Sequence, residues 1–324
     1  MSYESNKVIS VVILTCNRKQ MVEELVAELQ KQTIIDRTEI IVVDNGSLDN
    51  NYLFETTGTV DKTIKLKNNI GCAGRNEGIK QAGTDYVVTL DDDVFPHRPE
   101  ELEMVLRFFE NTLDANVVNF KILFPESKEL IPFNWYHPKD PSAFSDATFL
   151  TDYISEGAVA FRKASFECTG YYPEEFFLSH EGPDLACRFI NAGYNIYYSG
   201  SVEVLHKCSK VQRVTWRNTY YDTRNYFWFL VRNYKFPALM WMILFRLVVT
   251  FLFAVSRGQI VWYCRAIRDS VAGLPLQIKN RKPLTDEALN KLREIRKDKV
   301  PIFKRAVKYI KNISIINKAY PNRV

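Results

Sequence analysis

Short apolar runs alternate with segments in which apolar residues recur every three or four positions through the first two thirds of the chain. Residues 8–14 form a near-continuous apolar run, as a parallel strand buried on both faces requires. Met21, Val22, Leu25, Val26 and Leu29 then fall at helical spacing and predict an amphipathic helix, with Asn17 as its N-cap. A second strand is predicted over 39–43, ending in Asp44-Asn45-Gly46-Ser47, and a third near 60–66. A glycine-bearing loop, 68–78, opens a short helix at Ile79. The β-branched run 86–90 predicts a fourth strand, which stops at Asp91-Asp92-Asp93, and Pro96 forbids its continuation. A helix over 99–111 and a strand over 117–124 follow. Residues 125–150, rich in Pro, aromatics and Asp, read as an irregular lid or acceptor loop. A strand over 157–162 precedes a helix through Leu185, Phe189 and Ile190 that stops at Asn191-Ala192-Gly193. A strand over 201–206 ends in histidine. Strands alternating with helices, polar at the strand ends, define an α/β protein with a nucleotide-binding half at its start.

The chemistry gathers at those strand ends, where ligands of open α/β sheets bind. Taken alone, Asp91-Asp92-Asp93 is a solvated acidic turn. Held together, three adjacent carboxylates repel unless a cation shares the site, and hard ions such as Mg²⁺ or Mn²⁺ take oxygen ligands. An extended backbone would point Asp91 and Asp93 the same way and Asp92 elsewhere. The 68–78 loop lacks the G-K-[ST] of a Walker A loop and the G-x-G of a dinucleotide fingerprint, so alone it is a weak phosphate signal. Glu181 and Asp184 sit at a helix start, where a carboxylate is often only a cap. His206 ends a strand where it is either structural or a metal ligand.

Six cysteines lie scattered with no C-x-x-C pair, which suits a reducing interior and speaks against a disulfide framework or a zinc site. The start of the chain shows no signal-peptide pattern. The net charge of +5 hides an asymmetry: residues 277–324 carry 14 Lys/Arg against 4 Asp/Glu. Residues 237–255 are apolar except for Arg246 and Thr250. With Trp241, Trp262, Tyr263, Arg257, Arg265 and Arg268 nearby, they predict an interfacial helix pair on the inner leaflet. A packed core or oligomer contact and a membrane span stay open as alternatives, the span weakened by its marginal length and the mid-segment Arg246. A basic, helix-like stretch over 284–310 adds attraction to anionic lipid. No aromatic-interleaved recognition module accompanies it, so no nucleic acid is expected.

Taken in order, Val-Val-Ile-Leu-Thr-x-Asn-Arg, Ile-Ile-Val-Val-Asp-Asn-Gly-Ser, Asn-x-Gly-x-Ala-Gly-x-Asn-x-Gly, Leu-Asp-Asp-Asp and Phe-Phe-x-x-x-Glu…Asp-Leu-x-x-Arg resemble a family 2 inverting glycosyltransferase. The subgroup is that of bacterial rhamnosyl- and other hexosyltransferases of cell-surface polysaccharides, and the resemblance covers roughly residues 7–235. It implies a GT-A nucleotide-diphospho-sugar transferase fold: a mixed, mainly parallel sheet with helices on both faces. The catalytic domain would be 1–235 and the C-terminal helical extension 236–324. By the resemblance, Thr15, Asn17 and Arg18 line the nucleotide, and Asp44 accepts a hydrogen bond from its base. Gly71, Arg75 and Asn76 lie beside the diphosphate and ribose. Asp91 and Asp93 are the ends of an Asp-x-Asp motif, with Asp92 between them at the donor. A divalent ion, Mn²⁺ or Mg²⁺, would be held by Asp91, Asp93 and His206. Arg224-Asn225 matches a recurrent pair whose role stays unassigned.

One departure concerns the general base. The family usually reads Glu-Asp before x-Asp-Leu, and the second acid is the base; here the pair is Glu181-Gly182. That leaves Glu181, a methylene longer, or Asp184 as the base, or an altered activity. The implied partners are a UDP- or dTDP-linked hexose and a saccharide or lipid-linked acceptor at the inner, cytoplasmic face of the cell membrane. Oligomeric state stays open. The competing readings are a nucleotidyltransferase and a non-catalytic sugar-nucleotide-binding scaffold.

Overall fold

The computed structural model describes residues 6–48, 59–207, 215–236 and 238–298, and in it the apolar runs become strands of one sheet. The amino-terminal half runs β1 (Ile9–Thr15), α1 (Lys19–Leu29), β2 (Thr38–Asp44), β3 (Lys62–Lys65), α2 (Gly74–Gln81), β4 (Tyr86–Asp91), β5 (Val94–Pro96), α3 (Glu101–Asn111) and β6 (Ala115–Leu123). The chain continues with α4 (Pro141–Phe144), β7 (Thr148–Leu150), β8 (Ala158–Arg162), α5 (Ser165–Thr169), α6 (Glu181–Asn191) and β9 (Asn195–His206). It closes with α7 (Thr215–Asn233), α8 (Ala238–Ser256), α9 (Ile260–Ala272), α10 (Leu274–Lys279) and α11 (Asp286–Ile295). The predicted α/β class with a mixed, mainly parallel sheet is what forms, and helices follow it. Of the basic stretch over 284–310, residues 299–310 lie outside the described residues.

The strand order is β3-β2-β1-β4-β8-β6-β9-β5, and β7 pairs with an earlier stretch of the same β9 edge that β5 joins. β1 pairs in parallel with both β2 and β4. Their registers set Thr15 opposite Asp44 and Leu14 opposite Asp91, so three polar strand ends meet on one rim. Alternation along β1 explains its near-continuous apolar run. Ile9, Val11 and Ile13 pack with α1 and α3 on one face, and Val12 packs with Ile79 and the α6 residues on the other.

The structure differs from expectation in four places. Pro96 does not end pairing: β5 follows at once and pairs antiparallel with β9, with its proline at the end of an edge strand, where the missing N–H costs no ladder bond. β9 spans 12 residues, not only the expected 201–206, because Asn195 to Ser199 also pair with β6 before a register shift. The stretch 125–150 holds α4 and β7. Asn17 does not cap α1: Arg18 is the N-cap residue, without a side-chain bond, and the Asn17 side chain accepts instead from the Leu48 N–H (2.9 Å).

Helices α7 to α11 wrap the α6 side of the sheet. Leu284, Ala288 and Leu292 share an apolar cluster with Phe189, Ile190 and Trp228. By length and composition α8 is long and apolar enough to cross a membrane, and most of it is not buried against protein.

Candidate active site

A cavity of about 270 Å³ opens at the rim where β1 and β4 end, walled by Thr15, Arg18, Arg75, Asp91, Asp92 and Asp93, with Glu181 opposite. The chain turns at Asp92 and Asp93 between β4 and β5, so the alternation assumed for an extended backbone does not apply. Asp91, Asp92 and Asp93 all line the cavity, each engaged differently. Asp91 pairs with Arg75, a buried guanidinium that the nearby carboxylates hold firmly charged even though burial opposes it. Asp92 accepts from the Thr15 hydroxyl (2.8 Å) and from Arg18 Nη1 (2.7 Å). Burial nonetheless pushes its pKa up to about 6. Asp93 lies 3.4 Å from Arg18 Nη1 and 3.4 Å from His206 Nε2, whose Nδ1 is 3.0 Å from the Asn134 side-chain amide. Strand pairing makes this last contact, since Val94 is opposite His206.

Asp91 and Asp93 line this cavity, and their oxygens suit a hard divalent ion. His206 lines a separate cavity beyond Asp91, and the expected trio is not the cluster whose ligand atoms converge: among the described residues that cluster is His97, Glu101 and Glu203. Asp44 lies at the end of β2; its Oδ1 accepts from the Ser47 N–H (3.0 Å). Its Oδ2 is buried with no partner among the described residues, an acceptor left over for a ligand donor. Asn17 joins the β1 and β2 loops through Ser47 and Leu48. Asn45, which sequence reasoning passed over, pins the glycine loop by donating to the Gly71 carbonyl (2.9 Å) and accepting from the Ile70 N–H (2.9 Å). Gly71 has φ +66°, and a Cβ there would lie 2.1 Å from the Phe177 carbonyl oxygen.

Five expected residues do not line this cavity: Asn17, Asp44, Asn76, Asp184 and His206. Asn76 exchanges hydrogen bonds with the backbone of Tyr172 (2.9 and 3.0 Å), tying α2 to the loop before α6. Asp184 is buried between Arg188 Nε (3.0 Å), Arg232 Nε (3.1 Å) and Asn233 Nδ2 (2.8 Å), a satisfied ionic node under α6. With its oxygens so engaged and no face on the cavity, Asp184 is a poor general base.

Glu181 is on the cavity wall. Its Oε2 is buried without a partner among the described residues, and burial, then the charge of Glu156, push its pKa up to about 8. Glu156 was not legible beforehand. Its Oε1 accepts from the Gly182 N–H (3.0 Å), and burial raises its pKa as well. The one sequence signal was an acid beside Gly157, immediately before a strand. The departure at Gly182 now has a physical cause: a Cβ there would lie 2.1 Å from the Ile154 carbonyl oxygen and 2.3 Å from Glu156 Oε1. The structure also gives Arg224-Asn225 a position. Asn225 donates to the carbonyls of Phe176 (2.8 Å) and Ser179 (2.9 Å), and Arg224 to those of Glu175 and Phe176 (both 3.0 Å), clamping the loop that delivers Glu181.

The fold is that of GT-A-type transferases. It superposes with a TM-score of 0.54 on mannosyltransferase PcManGT from Pyrobaculum calidifontis, solved with GDP-Man and Mn2+, at 15% identity over 90% of this chain and 85% of that one. It superposes equally (0.54) on S. aureus TarS 1-349 in complex with UDP-GlcNAc, at 17% identity over 90% of each chain. Residues 10–170 match Glycosyl transferase family 2, so the chain carries a domain of that family. Among relatives, it is 27% identical over 203 residues to the O-antigen chain rhamnosyltransferase WbaN of Salmonella anatum, covering 60% of this chain and 64% of that protein. It is 27% identical over 175 residues to the uncharacterized glycosyltransferase YwdF of Bacillus subtilis (strain 168), covering 51% of this chain and 61% of YwdF. The matched region thus spans somewhat under two thirds of the length of both relatives.

Proposed function

We propose that the chain is a divalent-metal-dependent inverting glycosyltransferase. It moves a hexose of the rhamnose, glucose or galactose type from a UDP- or dTDP-linked donor to a hydroxyl of a cell-envelope glycan or lipid-linked acceptor. The observation that carries this reading is one cavity in which Arg18, Arg75 and the strand-end acids face a buried carboxylate, Glu181. The relative named as a rhamnosyltransferase supports the donor class. Asp44 Oδ2 receives the base, and Thr15, Asn17 and the Gly71 loop shape the nucleotide pocket. Arg18 and Arg75 draw the diphosphate to the rim. Asp91 and Asp93, with His206 drawn in as a third ligand, would hold Mn²⁺ or Mg²⁺, and such an ion would offset the charge of the departing diphosphate. A carboxylate of the Glu156/Glu181 pair takes the acceptor proton as the hydroxyl attacks the anomeric carbon from the side opposite the leaving group, which inverts that centre.

Residues 1–235 are the catalytic unit in this reading, and 236–324 bring it to the cytoplasmic face of the membrane. The test incubates the chain with UDP-, dTDP- and GDP-sugars and Mn²⁺ and measures nucleoside diphosphate release. One donor class is consumed, and Asp93→Ala or chelation lowers the rate about a hundredfold or more. If the wild type binds a sugar nucleotide but releases nothing from any of them, the chain is a binding scaffold and the transferase reading is lost.

A further inference from the structure

Resting on the transferase reading, we infer that Glu156 is the general base, and that the acceptor saccharide enters a second cavity on the far side of Asp91. That cavity, about 140 Å³, is walled by Asn134, Tyr136, Tyr153, Ser155, Glu156 and His206. Asp91 lines both cavities, so they share one wall. Arg18 and Arg75 line the first, where the diphosphate is held, and Glu181 faces that side. An inverting displacement needs the attacking oxygen on the side away from the diphosphate; of the two acids that line this second cavity, Asp91 is paired with Arg75, which leaves Glu156 to act as base.

Packing explains why an acid at 156 stands where the family's acid at 182 would. The backbone carbonyl of Ile154 and the Glu156 carboxylate fill the space that a side chain at 182 would need. The Gly182 N–H holds Glu156 Oε1 at 3.0 Å, which fixes the carboxylate and favours its charged form. Glu181 lacks such a donor at Oε2, so when the pair shares one proton it resides on Glu181. The two rings of Tyr136 and Tyr153 lie 5.0 Å apart at the cavity mouth, Tyr136 being 60% exposed. They offer amphipathic aromatic faces to a sugar ring, and Asn134 and Ser155 offer hydrogen bonds to its hydroxyls. In the step itself, Glu156 removes the acceptor hydroxyl proton and that oxygen bonds to the anomeric carbon. The bond from that carbon to the diphosphate oxygen breaks, and its electron pair leaves with the nucleoside diphosphate.

The experiment compares Glu156→Gln with wild type, using whichever sugar nucleotide of the UDP, dTDP and GDP panel the wild type consumes, with Mn²⁺. Three quantities are read: kcat, the pH profile of kcat/KM, and calorimetric affinity for the matching nucleoside diphosphate. Glutamine keeps the acceptor oxygen for the Gly182 N–H, so the fold is retained, and circular dichroism checks this. The expected result is a kcat loss of about a hundredfold or more, disappearance of the acidic limb of the profile, and unchanged nucleotide affinity. Glu156→Asp, which keeps a carboxylate, retains the limb at reduced kcat. A Glu156→Gln enzyme with near-wild-type kcat, or one slowed but with its acidic limb intact, overturns the inference and leaves the transferase reading standing. If the wild type neither binds a nucleoside diphosphate nor consumes any donor, both fall together.

Discussion

At Glu181 the protein holds a carboxyl group where ionisation is costly, because one oxygen is buried without a donor and Glu156 is beside it. Below the ordinary carboxyl value of 4.5 the group is protonated in both folded and unfolded chains and contributes nothing. As pH rises further the unfolded chain releases its proton, while the folded one keeps it until about 8. Stability therefore falls across that window, and Asp92 adds a smaller fall between 3.8 and about 6. Glu181→Gln removes the larger penalty. Without divalent ions its melting temperature should match the wild type near the bottom of the window and exceed it by about 2 °C or more at the top, followed by circular dichroism. An advantage that is largest in acid would contradict the assigned burial. Residue by residue, the sequence disclosed the acids but not their surroundings. Asp91, Asp93 and Glu181 were visible because they stand in motifs at element ends. Glu156 was hidden because its neighbour Gly182 is 26 residues away, and Asp184 misled because its partners Arg232 and Asn233 lie 48–49 residues downstream, on another helix.

Among the elements, the loop into α6 carries the most strain. Phe177, Ser179 and His180 all have positive φ (65°, 70° and 67°), conformations that cost non-glycine residues on the order of 1–3 kcal/mol each. They persist because helix α7 over-determines them. Asn225 and Arg224 donate to successive carbonyls of the loop, and His180 Nε2 lies 2.8 Å from Asp222 Oδ1. Without the clamp, Glu181 would lose its fixed place on the cavity wall. Asn225→Ala should lower the unfolding free energy by about 1–3 kcal/mol, read from the denaturant midpoint, and reduce donor turnover well beyond any change in nucleoside diphosphate affinity. Wild-type turnover in a normally folded Asn225→Ala chain would show that the loop holds itself. The Arg-Asn pair stood out in sequence, but its purpose did not, and no helix was predicted over α7. Its partners are backbone carbonyls 46–49 residues earlier, which have no sequence identity to recognise. The short β5 and β7 escaped notice for a related reason. Three-residue strands have no period to read and exist only because β9 lies beside them.

Across the whole molecule, the sheet and its site end on one side at α7, and α8 rests on α7 with a face left uncovered. Trp241 is 75% exposed and Phe245 68%, with Val248, Leu252 and, from α9, Val261 exposed beside them. Arg246, which in sequence appeared to interrupt the apolar stretch, points inward: its Nη2 meets Asp222 Oδ2 at 2.6 Å and its guanidinium lies 4.5 Å from the Tyr226 ring centre. The charge thus anchors α8 to α7, and the exposed face carries large apolar side chains. Arg257 and Arg265 lie over aromatic rings of α8 and α9, an arrangement suited to a lipid headgroup boundary. The proposed membrane contact would lay this helix along the surface with its apolar face inserted. Replacing Trp241 and Phe245 by Asp should weaken cosedimentation with phosphatidylglycerol-containing vesicles by at least about tenfold, since each ring forfeits about 1.5–3 kcal/mol of apolar burial. Hydrolysis of a soluble sugar nucleotide should stay at the wild-type rate, because neither ring touches the site. Should the double variant bind vesicles as the wild type does, the exposed face is not what meets lipid. A dimer that the same substitutions dissolve, seen by light scattering, would then assign that face to a second copy of the chain.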